Sequence, residues 1–74
     1  MSYFIIIRDP MGRTVDYQPA GVDPQRAVNF TKDHARSCEV GYTATLRFDD
    51  RTNVPRDVVS YVAEETGITK IEEE

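Results

Sequence analysis

His34 and Cys38 stand four residues apart, the spacing at which two side chains of a helix meet. They are the residue pair in this chain best suited to chemistry. A thiol beside an imidazole can form a nucleophile and its base, or two ligands of a zinc ion. A structural zinc site, however, needs four ligands, mostly Cys or His, and the sequence holds one of each. A reactive thiolate is also favoured at a helix N-terminus. Cys38 falls at the far end of the expected helix, where the dipole opposes negative charge. The pair therefore reads as a small buried thiol and a histidine at the edge of a helix face.

The remaining candidates are weaker. Asp49, Asp50, Asn53 and Asp57 could hold a cation, but the central glycine and closing glutamate of a calcium loop are missing. Turn formation and helix capping account for them. Gly12, Gly21, Gly41 and Gly67 lie far apart and build no phosphate-cradling loop, and no nucleophile elbow surrounds Ser2, Ser37 or Ser60. The expectation is a chain that is not an enzyme, with no cofactor, metal or small-molecule substrate.

Arg8, Arg13, Arg47 and Arg51, with Tyr3 and Tyr17, suggest a surface for single-stranded nucleic acid. Against it stand a net charge of −4 and a pI near 4.9. Residues 1–37 carry five basic and four acidic groups, whereas residues 38–74 carry four basic and nine acidic ones. Glu64, Glu65, Glu72, Glu73 and Glu74 form an acidic end. Such a run docks on a basic partner, imitates nucleic-acid phosphates, or is simply solvated.

Seventy-four residues make a single domain, 1–74. A chain of this size buries about 60–65% of its unfolded surface, and its core supplies roughly 3–5 kcal/mol. One cysteine forbids an internal disulfide. No secretory pattern and no membrane-length apolar run is evident, so a cytoplasmic protein without a membrane partner is expected.

Tyr3-Phe4-Ile5-Ile6-Ile7 is apolar at five consecutive positions and reads as a strand over 2–8. Asp9-Pro10-Met11-Gly12 is a turn, and 13–18 a second strand, pairing Ile6 with Val15 and Phe4 with Tyr17. Asp23-Pro24 starts a helix that runs to about Ser37. A third strand spans 42–48. Pro55 opens an expected second helix, with Asn53 as cap and Gly67 closing it, and a last strand covers 68–72. The order is β-β-α-β-α-β. It implies an α+β domain, a mixed or antiparallel sheet with two helices mainly on one face. A β-grasp-like arrangement is the alternative.

In that register Phe4, Ile6, Val15 and Tyr17 face the core. Tyr3, Ile5 and Ile7 then lie on the opposite face with Asp16, Thr43, Thr45 and Arg47, and an uncovered aliphatic strip marks a docking surface. The functional expectation is a non-enzymatic protein-interaction domain, a small inhibitor or adaptor (for example phage-encoded) that docks on a larger protein or on itself. Single-stranded nucleic-acid binding and acidic mimicry of nucleic acid are the alternatives.

Overall fold

The computed structural model describes residues 2–50 and 54–71. Arg51, Thr52 and Asn53, the expected helix cap among them, lie outside the described residues, as do Met1 and Glu72 to Glu74. The elements are β1 (Ser2–Arg8), β2 (Thr14–Gly21), α1 (Pro24–Ser37), β3 (Thr43–Asp49), β4 (Arg56–Glu64) and β5 (Gly67–Ile71). They build one five-stranded sheet in the order β2-β1-β3-β4-β5, antiparallel at every junction.

The hairpin between β1 and β2 turns on Asp9. Its backbone N–H donates to the Arg13 carbonyl at 2.9 Å, and Gly12, at φ 86°, donates to the Asp9 carbonyl at 2.9 Å. A side chain at Gly12 would be strained by that positive φ. Asp9 Oδ1 accepts from the N–H groups of Met11 and Arg13 at 3.0 and 2.9 Å, and Oδ2 accepts from Arg13 Nε at 3.2 Å. Pairing Asp9 with Arg13 lengthens the hairpin by one residue against the sequence expectation, and a bulge at Val15 adds a second. Ile6 therefore faces Tyr17 and Phe4 faces Pro19. A two-residue shift keeps every side chain on its face.

The Asp9 carboxyl is held below its ordinary value of 3.8, chiefly by the Arg13 N–H and further by the guanidinium and the Met11 N–H. Its folded pKa is thus lower than its unfolded one. The stability it contributes is complete above about pH 5 and disappears as the pH falls through the folded value. Urea midpoints should fall more steeply between about pH 5 and 3 for the wild type than for Asp9→Asn. Parallel curves would contradict this role for Asp9.

The helix α1 begins as the sequence indicates. Asp23 Oδ1 accepts from the N–H groups of Gln25 and Arg26 at 2.9 and 3.4 Å, and Pro24 fills the first turn. Strands β2 and β3 both run antiparallel to β1, so they are parallel to each other, and α1 is the crossover between them. Its inner face, Ala27, Thr31 and Ala35, is buried, and it contacts all five strands.

The expected second helix is absent; residues Arg56–Glu64 form β4 instead, and the domain has one helix among the described residues. Val58, Val59, Tyr61 and Val62 are β-branched or aromatic and suit a pleated surface. The positions 58, 59 and 62 satisfy a helical stripe, but Val59, Tyr61 and Ala63 equally satisfy strand alternation. The sheet decides between the two periods, because β3 would otherwise expose a bare edge. Gly67, at φ 136°, opens β5 after a two-residue turn rather than capping a helix. The α+β arrangement with two helices and the β-grasp-like alternative both fail on this point.

The core is the layer between α1 and the sheet. It contains Ile5, Ile7, Ala20, Ala27, Ala35, Ala44, Leu46 and Tyr61, with Tyr3, Val28, Cys38, Tyr42, Val59 and Ile68 packed around them. This inverts the expected facing of the first hairpin. Ile5 and Ile7 are 1% and 6% exposed, because the helix lies over them. Phe4, Ile6 and Tyr17 occupy the helix-free side.

Candidate interaction surface

The helix-free face is built of rows of paired residues. The central row runs Tyr17, Ile6, Thr45, Ser60, Ile71 and crosses all five strands. On one side lies Arg8, Thr43, Val62, Thr69, and on the other Pro19, Phe4, Arg47, Asp57. The middle of the central row is closed: Ile6 and Thr45 are 3% and 2% exposed, and the Thr45 and Ser60 hydroxyls hydrogen-bond at 3.0 Å. Its two ends are open, with Tyr17 54% and Ile71 40% exposed. Val58, the extra residue of a bulge opposite Leu46 and Arg47, is 50% exposed.

The Tyr17 end is held in place locally. The Tyr17 ring stacks on Phe4 at a centroid distance of 5.2 Å, which limits its rotamers. Arg47 Nε donates to Asp57 Oδ1 at 3.0 Å across the bulge, so its charge is matched within the sheet. The face therefore presents apolar ends, hydroxyl-bearing strips, a neutralised ion pair and the cation of Arg8.

Of the residues singled out in the sequence, Thr43, Thr45 and Arg47 do share this face. Tyr3, Ile5 and Ile7 do not; they belong to the helix side, Tyr3 half-buried against the Phe48 ring at 4.9 Å. Asp16 also lies in a helix-side row, beside Ile7 at the sheet edge. Its carboxylate accepts from the N–H of Tyr17 at 2.8 Å and from Gln18 Nε2 at 2.7 Å. Glu64 and Glu65 are exposed at the β4–β5 turn. Val58 and Ile71 were missed as a surface, and Tyr17 was named only beside the arginines of the nucleic-acid alternative. Pairing the rows of β1 with those of β3 would have found them, since Leu46 and Ala44 sit opposite Ile5 and Ile7.

The chemistry-bearing pair is not assembled. His34 packs its ring near Phe30, at 6.1 Å between centroids, while Cys38 packs on the core. Burial pushes the Cys38 thiol above its ordinary value, and the Asp16 carboxylate pushes it further, so a thiolate is disfavoured there. Asp57 is committed to Arg47, and no cluster of three metal-ligating side chains occurs among the described residues. A hollow of about 230 Å³ is bounded by Phe48, Asp50, Val54 and Arg56. No helix among the described residues is long and apolar enough to cross a membrane.

No protein-family model matches this chain, and no match emerges among curated proteins or solved structures.

Proposed function

We propose that this domain is a non-enzymatic interaction module that docks a larger protein on its helix-free sheet face. The observation that carries the reading is the central row, whose exposed ends, Tyr17 stacked on Phe4 and Ile71, flank a closed middle with Val58 beside them. Tyrosine held by stacking loses little entropy on binding and is enriched at protein interfaces. The acidic second half of the chain adds complementarity to a partner with basic groups around an apolar centre. A small inhibitor or adaptor works in this way, by occupying a surface rather than by turning over a substrate.

Nucleic acid is the weaker occupant of the same face. Its Arg47 is already paired with Asp57, and the chain carries net negative charge.

The test compares three immobilised baits: wild type, a Tyr17→Lys/Val58→Lys double variant, and Phe30→Lys on the outer side of α1. Wild type and Phe30→Lys should retain the same partner, and the double variant, folded by circular dichroism, should lose it. Retention by all three baits sinks the proposal. A salt-resistant dimer of the 8.4 kDa chain by light scattering would assign the face to self-association. Binding of single-stranded RNA at low salt, lost on adding salt, would overturn the protein reading.

A further inference from the structure

The two edges of the sheet are treated differently. On the β2 edge the outward N–H of Tyr17 is taken by Asp16 Oδ1 at 2.8 Å, and Pro19 has no N–H to offer. Bulges near both ends distort that strand further. These are the devices by which proteins block strand addition. Among the described residues the β5 edge has no captured N–H, proline or bulge, and Lys70 is its one charged side chain. Glu64 and Gly67 close a two-residue turn, so they form a hydrogen-bonded pair. Alternation then turns the backbone groups of Thr69 and Ile71 toward β4. It turns those of Ile68 and Lys70 outward, where β5 ends the sheet among the described residues.

Charge singles out the same place. Residues 1–63 carry eight basic and eight acidic groups. The whole net charge of −4 therefore lies in residues 64–74, which hold five glutamates and Lys70. Two copies joined along β5 would bring two such segments together, which like-charge repulsion opposes. A strand of opposite charge is favoured.

We propose that the β5 edge accepts an extended, lysine- or arginine-rich segment of a protein partner as a sixth strand. The proposal rests on the reading of this chain as an interaction module but uses a different surface. Main-chain bonds to Ile68 and Lys70 supply the attachment, and the glutamates select basic segments.

The probe is a short, end-blocked peptide of alternating lysine and valine, with a glutamate–valine peptide as control. Wild type and Lys70→Ala should bind the basic peptide and ignore the acidic one. Lys70→Pro, which removes one outward N–H and leaves the β4 ladder intact, should bind at least about tenfold more weakly than Lys70→Ala. In wild type, the peptide should slow hydrogen exchange at the Ile68 and Lys70 amides, a readout that needs no variant. Equal binding by the two variants, no binding, or protection that rises with protein concentration alone overturns the edge proposal. Loss of the peptide in folded Tyr17→Lys would also overturn it, by placing the peptide on the open face. A partner that Tyr17→Lys/Val58→Lys loses and Lys70→Pro keeps would remove the edge and leave the face.

Discussion

Ile5→Lys is expected to leave the chain unfolded in buffer, whereas Tyr17→Lys leaves it folded. Both positions belong to the first hairpin, and the sequence reading puts Tyr17 on the core face and Ile5 on the open one. In the structure Ile5 is 1% exposed and Tyr17 54%. Truncating a buried isoleucine costs about 2–5 kcal/mol. Lysine in its place adds an unpaired charge beneath α1, at a further cost of several kcal/mol. A domain of this length has roughly 3–5 kcal/mol to lose. Tyr17→Lys forfeits mainly the stacking on Phe4, about 1 kcal/mol. Far-UV circular dichroism with a urea titration separates the outcomes. A cooperative transition for Ile5→Lys near the wild-type midpoint would mean that the helix does not cover that side of the sheet.

The same contrast shows what the sequence carries and what it does not. The Asp23-Pro24 start of α1, the β1 strand and the alternation of β3 are local signals, and the structure contains each of them. Which side of β1 is buried is not local, because Phe4 and Ile6 are as apolar as Ile5 and Ile7. The side is settled by long-range pairing: Ile5 and Ile7 lie opposite Leu46 and Ala44, whose strand has one apolar face. The expected surface depends on that choice of side: Thr43, Thr45 and Arg47 share the helix-free face, while Tyr3, Ile5 and Ile7 lie under the helix. In β4, valines at positions 58, 59 and 62 satisfy both periods, and strand pairing with β3 and β5 resolves what periodicity leaves open. The unblocked β5 edge was invisible for the same reason, since an edge exists only once the strand order is known.

Ala27→Leu should destabilise the protein by about 1–3 kcal/mol, while Asn29→Leu, on the exposed side of the same helix, should stay within about 0.5 kcal/mol of wild type. The layer between α1 and the sheet is lined with alanines: Ala20, Ala27, Ala35 and Ala44 are 5%, 0%, 1% and 0% exposed. Side chains this short let the helix lie close to the strands, and close packing leaves no room for three more carbons. Leucine has the higher helix propensity of the pair Leu and Asn, so propensity alone predicts a gain at position 29 and little change at 27. A loss confined to position 27 therefore reports the packing of the layer. The consequence reaches the other side of the sheet. α1 crosses from β2 to β3 and contacts every strand, so it holds in one register the row that ends in Tyr17 and Ile71. Ala27→Leu should weaken partner binding only by the fraction of chains it unfolds, and the loss should be recovered on cooling toward the temperature of maximum stability. Urea midpoints for the two variants, read beside partner binding at two temperatures, test both halves. Equal midpoints would mean that α1 sits further from the sheet than its alanines imply.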